Sequence, residues 1–126
     1  MKKQRNKIRI LLAEDDHNLG FVVMDNLKAS GYEVSLCSDG EQALKVFADH
    51  PFDLCVLDVM MPKMDGFQVC QKLRQIKSFK TLPIIFLTGN SDKETVVKAV
   101  QVGGSDYFVK GGDIESLIKK IKTLTT

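Results

Sequence analysis

Polar side chains follow four apolar segments of this sequence, each at the point where the apolar segment ends. They are Glu14, Asp15, Asp16, Asp58, Thr88 and Lys110. Carboxylates gathered at one edge repel one another, by about 4 kcal/mol for two unit charges 4 Å apart at an effective dielectric near 20. Such a cluster needs a counter-charge. Lys110 is one candidate, and a hard divalent cation with oxygen ligands, Mg2+ first of all, is the other.

Together these groups would convert a repulsive acidic cluster into a site for a phosphoryl group. The metal would neutralise charge, Lys110 would attract the phosphoryl oxygens, and the Thr88 hydroxyl could donate a hydrogen bond. A carboxylate in such a place can act as a nucleophile and form an aspartyl-phosphate. Neither GxGxxG nor GxxxxGK[ST] occurs, so a nucleotide-binding loop is poorly supported.

Each of these residues has an ordinary explanation when it is taken alone. An aspartate at a strand end is most often a turn former or a helix cap, and Asp16 fits that description because it can cap the helix that follows. Lys110 alone would be a solvated surface lysine, and Tyr107 alone a half-buried strand aromatic. The chemical interpretation therefore depends on these residues coinciding at successive strand ends.

Short apolar segments alternate with helix-like segments along the chain. The predicted strands are Ile8–Ala13, Glu33–Cys37, Asp53–Leu57, Pro83–Leu87 and Tyr107–Val109. The predicted helices are His17–Ser30, Glu41–Asp49, Phe67–Ile76, Lys93–Val102 and Ile114–Leu124. This alternation predicts an α/β fold, (βα)5, with a parallel sheet covered by helices on both faces. Ligands of such sheets bind at the carboxyl ends of the strands, where the polar residues lie.

Composition bounds the class of protein. The 126 residues fit one domain, and 18 Lys plus Arg against 16 Asp plus Glu give a net charge of +2, too balanced to indicate a nucleic-acid surface. The three cysteines lack metal-site spacing, and reduced thiols suit the cytosol. No segment approaches the roughly 20 apolar residues of a membrane span, and no signal peptide is evident. We therefore expect a cytoplasmic protein that does not enter a membrane.

Four segments resemble the receiver domain of two-component response regulators, the family that includes the chemotaxis regulators. They are Ile10–Asp16 (ILLAEDD), Asp53–Phe67 (DLCVLDVMMPKMDGF), Pro83–Gly89 (PIIFLTG) and Gly103–Lys110 (GGSDYFVK). The resemblance runs from about Ile8 to Leu124, so residues 1–126 are expected to form a single receiver domain. It implies a flavodoxin-like, doubly wound sheet of five parallel strands in the order 2-1-3-4-5.

The resemblance also implies residue roles. Asp58 is the phosphoacceptor, which takes its phosphoryl group from phosphohistidine on a sensor histidine kinase. Glu14 and Asp15 belong to the Mg2+ site, with Asp15 and Asp58 as the direct ligands and the Met60 backbone carbonyl as a third. Thr88, Tyr107 and Lys110 match the hydroxyl that shifts toward the phosphoryl group, the aromatic whose rotamer follows, and the lysine that pairs with Asp58. Pro62 and Gly66 match the loop that shapes the pocket.

The resemblance implies a signalling phosphoacceptor, one that catalyses only its own phosphorylation and dephosphorylation. A homodimer through the last two helices is a further expectation, and DNA would be reached only through an output domain absent from this chain. One position departs from the family pattern: Gly111 follows Lys110, where proline in a cis peptide is usual. We expect a trans bond, a less rigid Lys110 loop and altered phosphorylation kinetics.

Three other functions compete with this interpretation. A phosphatase or phosphotransferase with an aspartate nucleophile would need a second acid two residues after Asp58, where this chain has Met60. A degenerate receiver that only binds proteins is disfavoured by the intact acidic, threonine and lysine set. A flavin-binding domain would need a hydroxyl-rich phosphate loop after the first strand, where this chain has acids that would repel a phosphate.

Overall fold

The computed structural model describes residues 7–89 and 92–126, and these form five strands, five α-helices and one short 3-10 helix. The strands are β1 (Arg9–Ala13), β2 (Glu33–Cys37), β3 (Leu54–Asp58), β4 (Ile84–Thr88) and β5 (Asp106–Val109). The helices are α1 (His17–Ala29), α2 (Gly40–Asp49), α3 (Gly66–Arg74), α4 (Lys93–Gln101) and α5 (Ile114–Thr125), with the 3-10 helix at Lys77–Phe79. The predicted alternation of strands and helices is confirmed.

All five strands are parallel and lie in the order β2-β1-β3-β4-β5, as predicted. The three central strands read as nearly continuous apolar runs because helices cover both of their faces. Every residue of β3 and β4 is buried, whereas the first four residues of the edge strand β2 alternate between exposed and partly buried positions. Because all the strands run in the same direction, the carboxyl ends of β1, β3, β4 and β5 meet at one edge of the sheet.

The core has one apolar layer on each face of the sheet. One layer joins strand residues such as Leu57 and Phe86 to α2 and α3 through Phe47 and Leu73. The other layer joins strand residues on the opposite face of the sheet to α1 and α5, and Leu117 of α5 is fully buried in it. These two layers hold the strand ends in a fixed register, which is what a site assembled from several strands requires.

An aspartate side chain caps the N-terminus of every α-helix in the described part of the chain. The five caps are Asp16, Asp39, Asp65, Asp92 and Asp113. The carboxylate oxygen of each accepts a hydrogen bond from a backbone amide of the first turn, satisfying a donor that the helix itself leaves unpaired. The capping role predicted for Asp16 is therefore confirmed.

The boundaries differ from the predicted ones by one or two residues. Asp58 and Thr88 are the last residues of β3 and β4 rather than the first residues after them. Helix α3 ends at Arg74, two residues before the predicted end, and the guanidinium of Arg74 donates hydrogen bonds to the carbonyls of Phe79 and Gly103. None of the helices in residues 7–89 and 92–126 has the length and apolar character that a transmembrane segment needs.

Candidate functional site

Three carboxylates meet at the carboxyl edge of the sheet. Glu14 and Asp15 directly follow β1, and Asp58 ends the adjacent strand β3, with Ala13 paired to Leu57 in the sheet register. One carboxylate oxygen from each of Glu14, Asp15 and Asp58 lies within 4.8 Å of the others. The structure therefore brings together the three acids that the sequence assigned to a metal site.

The two innermost carboxylates are almost completely buried. Glu14 and Asp58 each expose 1% of their surface, whereas Asp15 is exposed. The Lys110 ammonium lies between the buried pair, 3.0 Å from Asp58 Oδ1 and 3.2 Å from Glu14 Oε1. Because this ammonium is mostly withdrawn from water, with 27% of the side chain exposed, its attraction to both carboxylates is only weakly screened.

The β3–α3 loop closes tightly around Asp58. The Met60 backbone amide donates a hydrogen bond to Asp58 Oδ1 at 3.2 Å, and the Gly66 amide donates to the Val59 carbonyl at 3.0 Å. A β-carbon at Gly66 would collide with the Asp58 carbonyl group. Glycine is thus required for α3 to begin directly beside β3, and the pocket-shaping role of this loop stays a prediction.

Burial is the main cause of an altered pKa at Asp58. Burial and, after it, the neighbouring Glu14 carboxylate raise the pKa of this carboxyl from 3.8 to about 7, and this value already includes the opposing effect of the Lys110 ammonium. Burial alone would lower the pKa of Lys110, but the hydrogen bonds and charges of Asp58 and Glu14 outweigh it and raise that pKa above its usual value. One lysine therefore compensates only part of the negative charge.

Two buried carboxylate oxygens at this site lack a hydrogen-bond partner among the described residues, Asp58 Oδ2 and Glu14 Oε1. Glu14 Oε1 still has the Lys110 ammonium at 3.2 Å, so Asp58 Oδ2 is the oxygen left without compensation. A buried acceptor without a partner costs about 1–3 kcal/mol, more when it is charged. An oxygen-rich site with such an unpaired acceptor fits a hard divalent cation such as Mg2+.

Thr88 and Lys110 lie at the ends of adjacent strands. Thr88 exposes 3% of its surface, and its carbonyl accepts a hydrogen bond from the Lys110 amide at 2.8 Å. Tyr107 is half-buried and pairs with Phe86 in the register of β4 and β5. The shift of the Thr88 hydroxyl toward a phosphoryl group, and the link from Thr88 to the Tyr107 rotamer, stay predictions.

The Lys110–Gly111 peptide bond is trans, as expected, and Gly111 has φ of +85°. Proline cannot occupy this position in the observed conformation, because its ring holds φ near −65°. The Lys110 ammonium is thus directed at its carboxylates by a left-handed glycine turn.

Sequence reasoning missed two features of this edge. It paired Lys110 with Asp58 but not with Glu14, because strand spacing does not reveal which of two acids turns inward. It also did not identify the contacts of Lys120. The Lys120 ammonium bonds both oxygens of the Asp106 carboxylate at 3.1–3.2 Å and lies 5.9 Å from the centre of the Tyr107 ring.

Comparison with known proteins agrees with this geometry. The family model described as "Response regulator receiver domain" matches residues 10–122. A curated relative, the transcriptional regulatory protein RprY of Bacteroides fragilis, is 43% identical over 118 residues, which cover 94% of this chain and 49% of the relative. The chain therefore spans about half the length of the curated relatives it matches.

Solved structures share the fold over nearly the whole chain. A response regulator structure from Chloroflexus aurantiacus superposes with a TM-score of 0.92 at 29% identity, covering 95% of this chain and 98% of the other. The receiver domain of the sensor histidine kinase PA1611 from Pseudomonas aeruginosa superposes with a TM-score of 0.88 at 28% identity, covering 94% and 98%. The latter structure has a magnesium ion coordinated in its active site cleft.

Proposed function

Since this chain belongs to the response regulator receiver domain family of two-component signalling, we propose that Asp58 is the residue that accepts the phosphoryl group. One observation carries the assignment. Asp58 is a buried carboxylate with the Lys110 ammonium 3.0 Å from one oxygen and no hydrogen-bond partner, among the described residues, on the other. A buried charge held in that way is costly unless something binds to it.

Receiver domains of this family take their phosphoryl group from sensor histidine kinases. In the proposed step, an Asp58 oxygen attacks the phosphorus of a phosphohistidine. The new P–O bond forms as the P–N bond to the donor imidazole breaks, and the released imidazole keeps the electron pair of that bond. Lys110 stabilises the charge on the phosphoryl oxygens, and the Thr88 hydroxyl donates to one of them.

We propose Mg2+ as the cofactor of this step. Asp15, Asp58 and the backbone carbonyl of Met60 would hold it, with Glu14 completing the acidic environment. When bound, the metal neutralises the carboxylates and the incoming phosphoryl oxygens. The acids within 4.8 Å of one another and the unpaired Asp58 oxygen support this assignment, as does the magnesium ion in the related PA1611 receiver.

The protein is a signalling domain, and we propose that it catalyses only its own phosphorylation and dephosphorylation. Phosphorylation adds roughly −1.5 to −2 charges at Asp58 and three acceptor oxygens. Thr88 would move toward this group, and Tyr107 would change rotamer in the space that Thr88 leaves. The Lys120 contact with Tyr107 and Asp106 places α5 beside that aromatic ring.

Partners beyond the kinase belong to the same proposal. Val97 and Val100 on α4 are 44% and 70% exposed, which supports an interface formed by the last two helices in a homodimer. DNA would be contacted only through an output domain outside residues 1–126, as relatives twice as long are named transcriptional regulators. Three free, buried cysteines are consistent with the proposed cytoplasmic location.

Intact-mass measurement after incubation with acetyl phosphate and Mg2+ tests the assignment. The wild type should gain one phosphoryl group, and Asp58→Asn should gain none. Asp25→Asn, which removes an exposed carboxylate on α1, is the matched control and should gain one group like the wild type. Phosphorylation of Asp58→Asn at the wild-type rate, or no phosphorylation of the wild type in Mg2+, would refute the proposal.

A further inference from the structure

A strained turn lies in the loop between Asp58 and α3. Lys63 has φ of +68° and is the one residue other than glycine with positive φ in residues 7–89 and 92–126. The Met64 amide donates a hydrogen bond of 2.7 Å to the Pro62 carbonyl, closing a three-residue γ-turn around Lys63. γ-Turns with positive φ are rare and strained, and such strain persists only where neighbouring structure imposes it.

The start of α2 packs directly against this turn. Asp39 caps α2 with one carboxylate oxygen, which accepts from the Gln42 amide at 2.8 Å. Its other oxygen lies 3.8 Å from the Lys63 ammonium. Gly40 packs so closely on the loop that a β-carbon there would collide with the Met64 carbonyl and lie 2.9 Å from Met64 Cβ.

Both ends of the loop are also fixed, by α3 downstream of the turn and by Asp58 upstream of it. Met64 packs against the apolar core, and the next residue, Asp65, caps α3 in a capping box with Gln68. Upstream, the Met60 amide holds Asp58 Oδ1. The Lys63 turn therefore lies between two fixed ends and sets the path of residues 59–62, which include the proposed carbonyl ligand of Met60.

We propose that Lys63 is a positioning residue for the metal ligands at positions 58–60, and that Asp39 and Gly40 hold it in its strained conformation. The inference rests on the proposed Mg2+ site. A side chain with a β-carbon restricts the turn to few conformations, so the loop is already ordered when the cation arrives. Glycine at this position would remove the strain but would allow many more backbone conformations.

Two substitutions at Lys63 separate positioning from stability. Lys63→Gly should raise the melting temperature by about 2–4 °C, because the strain disappears, while the Mg2+ dissociation constant rises about three- to tenfold. Lys63→Asn should keep Mg2+ affinity within about twofold of the wild type, because asparagine tolerates the left-handed region and retains a β-carbon. Lys80→Gly, at an exposed lysine with φ of −63°, is the matched control and should leave Mg2+ affinity unchanged.

The Mg2+ dissociation constant is measured by amide NMR titration of the unphosphorylated protein with MgCl2, and the melting temperature by calorimetry without metal. Opposite changes in the two quantities for Lys63→Gly support the proposal, because a purely structural residue would not weaken metal binding as stability rises. Equal Mg2+ affinity in the wild type and Lys63→Gly overturns it, whatever happens to stability. A wild type that binds no Mg2+ would instead refute the proposed function on which the inference rests.

Gly40→Ala provides a second, independent test from the α2 side. The added methyl group must displace the Met64 carbonyl, so the Mg2+ dissociation constant should rise about threefold or more in protein that remains folded by circular dichroism. If Gly40→Ala is folded and binds Mg2+ as the wild type does, α2 does not hold the loop. If it does not fold, the Lys63 variants still decide the question.

Discussion

Replacing Asp58 by asparagine should stabilise the metal-free protein, and the gain should depend on pH. Asp58 exposes 1% of its surface, and one of its oxygens has no hydrogen-bond partner among the described residues. Ionising such a carboxyl in the folded protein costs free energy that the unfolded chain does not incur. Asparagine has nearly the same shape and never ionises, so the variant avoids this cost.

The size and sign follow from the pKa. In the unfolded chain Asp58 loses its proton near pH 3.8, whereas in the folded protein burial and the neighbouring Glu14 carboxylate, opposed by the Lys110 ammonium, raise the pKa to about 7. Between these values the folded state holds the proton more tightly, so the free energy of unfolding falls as pH rises. Each pKa unit corresponds to 1.36 kcal/mol, which gives a loss of about 4 kcal/mol between pH 4 and pH 8. Asp58→Asn should lack this loss.

Urea unfolding in EDTA, followed by circular dichroism at several pH values from 4.5 to 8, measures the effect. The difference in unfolding free energy between Asp58→Asn and the wild type should grow by roughly 2–4 kcal/mol across this range. Following each protein across pH removes the effect of the lost Lys110 contact, because that loss lowers the unfolding free energy of the variant by the same amount at every pH. Asp25→Asn should follow the wild-type pH dependence, because Asp25 is exposed.

Mg2+ should offset the free-energy cost of the ionised Asp58 carboxylate in the wild type, and it should not do so in Asp58→Asn. Ligand binding to the folded state adds RT ln(1 + [Mg2+]/Kd), so saturating Mg2+ at pH 8 should narrow the gap between the two proteins. A difference between Asp58→Asn and wild type that stays constant from pH 4.5 to 8 would show that Asp58 ionises without cost. The description of its buried, uncompensated oxygen would then be wrong.

Three further predictions concern other parts of the structure. Lys110→Met removes the ammonium that competes with a cation for the buried carboxylates, so the Mg2+ dissociation constant from NMR titration should fall about threefold or more. Phosphorylation of this variant by acetyl phosphate should be slower. An unchanged Mg2+ affinity would contradict this prediction. Gly111→Ala places a β-carbon at φ of +85° and should cost about 1 kcal/mol, seen as a lower melting temperature in calorimetry; an unchanged value would mean that the turn relaxes. Cys37, Cys55 and Cys70 are buried, and burial together with the nearby Asp39 charge raises the pKa of Cys37 to about 11, so iodoacetamide should label these thiols only after unfolding; rapid labelling of the native protein would contradict their burial.

The fold was largely predictable from local pattern. Continuous apolar runs at β1, β3 and β4 indicated strands buried on both faces, and amphipathic segments between them indicated covering helices. The predicted boundaries of strands and helices differ from the observed ones by one or two residues, because the end of an element depends on contacts with residues that are distant in the sequence. At the end of α3, for example, the guanidinium of Arg74 donates a hydrogen bond to the carbonyl of Gly103, 29 residues away in the sequence.

The members of the site were also predictable, because parallel strands deliver their carboxyl ends to one edge and the residues there belong to a recognisable pattern. Glu14, Asp15, Asp58 and Lys110 were identified in this way, and the structure brings them together. The sequence by itself thus determined which residue types meet and what chemistry they can perform.

Only the tertiary structure decided how those residues interact. Which carboxylates are buried, that Lys110 contacts both Glu14 and Asp58, and that Lys63 is held in a strained turn all depend on packing between distant segments. The pKa of Asp58 likewise follows from its burial and from Glu14 and Lys110, which come from the ends of other strands. The burial and the backbone strain of a residue depend on the atoms packed around it, and contacts between distant segments bring those atoms there. The local sequence specifies only which residues take part in these contacts.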